Sequence, residues 1–371
     1  MTLADAIRRR IPDASIVIAT GSSRSDAFVT EPGVEFVKLP SVTKDEAGNY
    51  RPRELSLDVK EVVEMRKGLL VALDREYKPD VILVDHKFRG LMGELDEVLQ
   101  TSRARGARTI LGLRDVLDAP EAANREFSDF VEGPALQMYD RILVYGCSTV
   151  FDPRTEYSLP SALSSALEFV GYVVRPHPPS NFPALPSASD DVLVTCGGGD
   201  DGPVLVETYL ECLRLEDRPW TSTVILGPLF DTRKARHIKR EARSIEGVRI
   251  HSFYEDLPRL IDSASAVVGM AGYNSAFELV RSRRPAVLVP RTHPRREQEI
   301  RARRLEDLGL VCCLPAPTPR ELGQALVGIM GRTHQFSKPL PFDGAERVAE
   351  IISDELGIQS QPLQADERMP G

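Results

Sequence analysis

The stretch Val267-Val-Gly-Met-Ala-Gly-Tyr-Asn-Ser-Ala-Phe-Glu-Leu279 constrains this chain more than any other. Residues Ala266 to Met270 are an unbroken apolar run and read as a buried strand. Gly272 permits a sharp turn, and Asn274 and Ser275 then open an apolar-periodic helix running to about Arg284. A strand, a glycine turn and a helix start gather free backbone N–H groups and the positive end of a helix dipole at one point. Such a point suits a phosphate. Glu278 lies one turn further in, where a carboxylate could accept hydrogen bonds from ribose hydroxyls. A plainer reading competes: Ser275-Ala-Phe-Glu278 fits the S-x-x-E capping box, with the glutamate returning to the cap N–H.

The rest of the chain repeats the alternation of strand and helix, which argues for parallel sheets covered by helices. Helices are expected at Leu3–Ile11, Leu55–Tyr77, Leu91–Arg105 and Phe127–Tyr139, with strands at Ser15–Thr20, Val34–Leu39, Val81–Val84, Arg108–Leu113 and Arg141–Tyr145. Between Gly171 and Ser189 the composition changes, with Pro176, Pro178, Pro179, Pro183 and Pro186 close together. Proline lacks an N–H and fixes φ, so this segment reads as a domain linker. A second alternating set follows. Its strands fall at Asp191–Thr195, Ser222–Leu226, Val248–His251, Ala286–Val289 and Val311–Leu314, and its helices include Pro203–Leu215, Leu257–Ser263 and Glu297–Leu308. The 371 residues suit two α/β domains of about 150 residues each. The expected division is a first domain over 1–172, a Pro-rich linker over 173–190, a second domain over 191–340, and a helix with a polar tail over 341–371. Two halves joined by a hinge imply a cleft between them, a common ligand location.

Composition excludes several classes. The net charge of −8 offers no global field for nucleic acid. The arginine runs Arg8 to Arg10 and Arg301 to Arg304 read as solvated helix faces. No apolar run approaches the roughly 18–20 residues needed to span a bilayer, and the start carries no signal-peptide pattern. The five cysteines (Cys147, Cys196, Cys212, Cys312, Cys313) are odd in number, scattered and without CxxC spacing, which argues against a zinc site or disulfides and fits a reducing cytoplasm. The histidines form no metal-ligand pair.

Four further segments sit just after predicted strands, where open α/β sheets bind ligands. Cys196-Gly-Gly-Gly-Asp-Asp-Gly202 lets a group approach the backbone at Gly198 and Gly199, but Asp200 and Asp201 would oppose an anion; Asp201 also reads as the cap of the helix at Pro203. Its spacing matches neither the phosphate-loop pattern nor GxGxxG. Pro290-Arg-Thr-His-Pro-Arg-Arg-Glu-Gln298 is more polar than packing requires, and Gln298 offers a donor and an acceptor suited to sugar hydroxyls. Val84-Asp-His-Lys-Phe-Arg-Gly90 and Leu113-Arg-Asp115 place His86, Arg114 and Asp115 on the opposite side of the cleft, with His86 a candidate catalytic base or an ordinary structural histidine.

In order and spacing these segments resemble the C-terminal domain of family-28 glycosyltransferases, whose best-known member adds N-acetylglucosamine to lipid I. The resemblance covers roughly Val192 to Leu314 and rests on the GGG after the first strand, Ser252-Phe-Tyr-Glu-Asp-Leu257, Ala271-Gly-Tyr-Asn-Ser-Ala-Phe-Glu278, Pro285-Ala-Val-Leu-Val-Pro290 and Glu297-Gln298. More narrowly, GYNS with the RxxEQxxRA segment is similar to a bacterial group of predicted glycosyltransferases. The resemblance implies the B-type fold, two Rossmann-like domains facing across a cleft, with a nucleotide-sugar donor in the second and an acceptor in the first. It implies that Phe253 and Tyr254 face the base, that Gly272, Tyr273, Asn274 and Ser275 hold the diphosphate, that Glu278 takes the ribose, and that Glu297 with Gln298 takes the donor sugar. No metal or other cofactor is expected.

The first half departs from the family, which opens with a strand, a glycine-rich loop carrying a histidine, and a helix. Here Met1 falls almost at that helix, so the first domain is expected to lack its opening strand, and with Met1 as the native start the family's general base is missing. The leading expectation is transfer of a sugar from a nucleotide diphosphate, UDP by resemblance, to a hydroxyl acceptor, in the cytoplasm. A lipid-linked acceptor would bring the protein to the inner membrane face; a small molecule would not. A nucleotide-sugar 2-epimerase of the same fold and a non-catalytic nucleotide-sugar-binding protein remain alternatives.

Overall fold

The computed structural model describes residues 1–22, 32–44, 50–132, 134–175, 190–215, 218–330 and 339–358. The first half contains α1 (Thr2–Arg10), β1 (Ile16–Thr20), β2 (Val34–Lys38), β3 (Val42–Lys44), β4 (Tyr50–Pro52), α2 (Val59–Tyr77), β5 (Val81–Asp85), α3 (Asp96–Ala104), β6 (Arg108–Arg114), α4 (Pro120–Glu132), β7 (Arg141–Tyr145), α5 (Pro153–Glu156), α6 (Ser161–Ala166) and β8 (Leu167–Phe169). The second contains β9 (Asp191–Thr195), α7 (Pro203–Leu215), β10 (Thr221–Ile225), α8 (Thr232–Ala242), β11 (Val248–His251), α9 (Leu257–Ser263), β12 (Ala266–Gly269), α10 (Tyr273–Ser282), β13 (Ala286–Leu288), α11 (Glu297–Asp307), β14 (Cys312–Cys313), α12 (Pro319–Ile329) and α13 (Gly344–Glu355).

The second half is a doubly wound sheet. Its six strands are all parallel in the order β11-β10-β9-β12-β13-β14. The chain winds one way from β9 to β11 and the other way from β12 to β14, so the order reverses between β9 and β12. Ligands of open α/β sheets lie outside the carboxyl ends of the strands at such a switch point. Every residue of β9 and β12 is buried, as strands covered on both faces require.

The first half holds six parallel strands in two blocks, β1-β2 and β5-β6-β7-β8, with β3 and β4 as a separate antiparallel pair. No ladder joins β1 to β5 among the described residues, and the residues of both strands are mostly half-buried where β7 is almost wholly buried. α2 bridges the two blocks. The Tyr77 hydroxyl at its end donates to the Ser15 carbonyl at 2.6 Å, while Arg66 pairs with Glu94 and donates to the Pro40 carbonyl at 2.8 Å.

The halves share one core. Ile110 and Leu143 of the first cluster with Val267, Ala276 and Phe277 of the second, and the Tyr172 ring stacks on Phe277. The chain crosses between the halves twice, side by side: the Tyr172 N–H donates to the Pro341 carbonyl at 2.8 Å and the Gly344 N–H to the Tyr172 carbonyl at 3.2 Å. α13 then returns to the first half, packing Ala345 and Ala349 on Ala6 of α1, and Glu355 meets Arg141 at 3.1 Å. The proline cluster and the tail from Gln359 lie outside the described residues.

Several boundaries differ from expectation. α2 starts at Val59, not Leu55, because Asp58 and Glu61 form a capping box. α3 starts at Asp96, not Leu91, since Gly90, Met92 and Gly93 all take positive φ and hold residues 90–95 in turns. The helix expected over Phe127–Tyr139 runs instead from Pro120, a residue suited to a first turn, and a 3-10 turn over Pro134–Met138 follows it. The Arg301 to Arg304 run is not simply a solvated face, because Arg301 is 1% exposed.

Candidate functional site

α10 begins at Tyr273 with Gly272 as its cap, and among the described residues no side chain caps its first turn. The capping box read from Ser275 and Glu278 is therefore absent: the helix starts too early for Ser275 to be its cap, and Glu278 stands nearly two turns in. The early N–H groups of the helix are left to a ligand or water. Asn274 is exposed on this turn, and a Cβ placed on Gly272 would meet nothing within 4 Å. Tyr273 itself is buried, and its hydroxyl accepts the Val173 N–H at 3.0 Å.

The glycine loop after β9 meets this turn across the switch point. A Cβ on Gly197 would lie 2.6 Å from the Ser275 hydroxyl, and Gly197 takes φ +58°. Gly198 is exposed, with only Leu229 near its open side. Gly199 is buried and turned toward the Leu226 carbonyl, so its freedom serves packing of the loop. Asp201 does not cap α7; the first bond of that helix runs from the Val206 N–H to the Gly202 carbonyl, and Asp201 pairs with Arg291 at 3.2 Å. Burial raises the Asp201 carboxyl above its ordinary range, against the pull of Arg291.

Glu278 lines a recess with Asn274, Val173, Val174, Thr2 and Arg175. Burial pushes its carboxyl up, while Arg175 and Arg281 draw it back. Arg175 was missed in the sequence, where it reads only as the edge of the Pro-rich linker. Its carbonyl accepts from Arg281 at 2.9 Å, which pins the crossing segment along α10.

Arg291 organises the loop after β13. It pairs with Glu297, and its N–H donates to the Gln298 side-chain carbonyl at 3.2 Å. Gln298 is buried, and the second carboxylate oxygen of Glu297 is buried without a hydrogen-bond partner among the described residues. Phe253 is 49% exposed in the loop after β11, and the neighbouring Tyr254 packs against the shared core.

On the first half, Arg114 lies 3.8 Å from Asp85 and stands over the Tyr273 ring, 5.7 Å from its centre. Asp115 is fully buried and held by Arg301, so it serves the contact between the halves. His86 takes φ +69° at the end of β5, and its Nδ1 is buried without a hydrogen-bond partner. Burial first, and the charges of Arg114, Lys87, Arg295 and Arg301 after it, bring its pKa down to about 3, so the imidazole is neutral. The structure thus brings Gly272, Tyr273, Asn274, Ser275, Glu278 and Gly198 to one end of the second sheet, with Arg114 facing them.

Two Rossmann-like halves with glycine loops at a switch point have the architecture of the B-type glycosyltransferase fold. Residues 192–336 match the model of the glycosyltransferase family 28 C-terminal domain. No curated protein sequence matches the chain. Among solved structures, the chain is similar to the glycotransferase of kitacinnamycin, with 18% identity, TM-score 0.60, and 96% of this chain and 95% of that chain covered. It is also similar to MurG of Acinetobacter baumannii (12% identity, TM-score 0.59, 95% of each chain covered) and to the UDP-GlcNAc 2-epimerase of Methanocaldococcus jannaschii (12% identity, TM-score 0.61, 95% and 96% covered). Among the described residues no helix is long and apolar enough to cross a membrane.

Proposed function

We propose that the chain transfers a sugar from a nucleoside diphosphate donor, UDP-linked, to an acceptor hydroxyl. The observation that carries this reading is the uncapped start of α10, open at Gly272 and flanked by Gly198 across the switch point. There the diphosphate would accept backbone N–H bonds and lie at the positive end of the helix dipole. In this reading Phe253 and Tyr254 flank the base, Glu278 with Arg175 takes the ribose side, and Glu297 and Gln298 take the sugar. The unpartnered oxygen of Glu297 supports that last role, since a sugar hydroxyl would satisfy it. Rate enhancement comes from holding donor and acceptor across the cleft and from stabilising the leaving diphosphate with fixed dipoles, without a metal. The reaction is assigned to the cytoplasm, and an apolar acceptor would bring it to the membrane face.

A thermal-shift panel of UDP, GDP and TDP sugars, followed by labelled-donor turnover, tests this. The expected result is stabilisation by a UDP sugar and a labelled acceptor product. Binding without turnover would favour a non-catalytic binder, interconversion of the free sugar nucleotide would favour an epimerase, and no stabilisation by any nucleotide sugar would remove the reading.

A further inference from the structure

The carboxyl end of the first sheet carries a second constellation, on the face turned toward the cleft. Side chains alternate along a strand, so Asp85, Gly112, Arg114 and Tyr145 share the face on which Ile110 and Leu143 join the core common to both halves. Gly112 is what makes the corner possible. Any Cβ there would collide with the Tyr145 hydroxyl, which therefore lies across the β6 backbone toward β5. That hydroxyl is buried and has no hydrogen-bond partner, and neither has the buried Nδ1 of His86, a residue whose backbone N–H donates to the Gly112 carbonyl at 2.7 Å. Two unpartnered buried polar atoms at one end of the sheet are costly unless a ligand satisfies them.

The charges at this end single out one carboxylate. Asp115 is held by Arg301, Asp118 accepts the Arg296 N–H at 2.9 Å, Glu126 pairs with Lys87, and Glu94 with Arg66. Asp85 has a 3.8 Å contact with Arg114 and feels the charge of the Met1 ammonium, and its side chain is 60% exposed. Arg114 in turn stands over Tyr273, the first residue of α10, so the corner faces the turn assigned to the diphosphate.

We propose that Asp85, His86 and Tyr145 form the acceptor subsite, with Asp85 as the general base and the other two holding the acceptor by hydrogen bonds. This rests on the transfer reading above. The acceptor oxygen bonds to the anomeric carbon as the bond from that carbon to the diphosphate oxygen breaks. The diphosphate leaves with the electron pair, and the hydroxyl proton passes to the Asp85 carboxylate. Arg114, 3.8 Å away, holds that carboxylate toward the cleft.

The test uses the full chain, with UDP-glucose and UDP-N-acetylglucosamine as donors, glycerol as the acceptor hydroxyl and released UDP as the readout. Asp85→Asn is expected to keep the parent's stabilisation by UDP while UDP release falls at least about 100-fold, the scale of a lost general base. Tyr145→Phe is expected to melt at or above the parent, having lost an unsatisfied hydroxyl, yet to raise the KM for glycerol several-fold. Parental release by Asp85→Asn, or an unchanged glycerol KM in Tyr145→Phe, would overturn the subsite and leave the transfer reading standing. A parent that neither binds UDP nor releases it would overturn the transfer reading and the subsite with it.

Discussion

Arg301 and Asp115 form a two-pronged ion pair between the halves, with Nη2 and Nε of Arg301 at 2.8 and 3.1 Å from the same carboxylate oxygen. Arg301 also donates to the Ala271 carbonyl at 2.8 Å and to the Val116 carbonyl at 3.3 Å. The residue before the Gly272 turn is thereby tied to the end of β6. Removing one member strands a buried charge, so Arg301→Met should cost about 3–5 kcal/mol. Arg301→Met with Asp115→Leu should recover most of that loss, because no charge is left unpaired. Urea unfolding of the parent, the single and the double variant measures both.

His86 makes stability depend on pH. Its folded pKa, about 3, lies below the unfolded value of about 6.5, so the unfolded chain binds the extra proton. The stabilisation is complete above about pH 6.5 and is lost as the pH falls toward 3. His86→Asn should flatten the stability profile between pH 6 and 4.5, by up to about 1.4 kcal/mol per pH unit. Asparagine is the suitable replacement because it tolerates positive φ. Denaturant midpoints across that range check the slope.

Asn274→Asp sets helix stability against ligand affinity. A carboxylate in the first turn of α10 should stabilise the free protein by about 0.3–1 kcal/mol through the helix dipole. The same charge should repel a diphosphate and weaken UDP binding at least about tenfold. Calorimetric titration with UDP and thermal melting of the free protein give the two signs separately.

Gly197 has two reasons to be glycine, and a double-mutant cycle separates them. Gly197→Ala should lose about 1–2 kcal/mol from its left-handed backbone, plus the clash with the Ser275 hydroxyl at 2.6 Å. Adding Ser275→Ala should remove the clash and leave the backbone cost. Full additivity of the two changes, measured by unfolding, would show that loop and helix do not meet.

Much of the second half was legible because its signals are local. The apolar runs of β9 and β12, Pro203 at the start of α7 and Gly272 before α10 each specify structure within a few residues. The first half was harder to read where turns, rather than periodicity, place the helix ends, as at Met92 and Pro120. Long-range partners left no trace in the sequence. Arg301 looked like one of a run of solvated arginines until the fold brought Asp115, 186 residues away, against it. Tyr145 reads as an ordinary strand residue, and only its crossing over Gly112 reveals a hydroxyl with nothing to bond. The Ser275–Glu278 pattern misled for the opposite reason, since a motif sufficient for a cap gave way to a glycine cap earlier in the chain.

The most direct measurement follows the backbone amides of Tyr273, Asn274 and Ser275 by NMR as UDP is added. The account predicts that their proton signals move downfield together and exchange more slowly, as expected for N–H groups gripping a phosphate. UDP binding that leaves these three amides unmoved, or no binding at millimolar UDP, would contradict it.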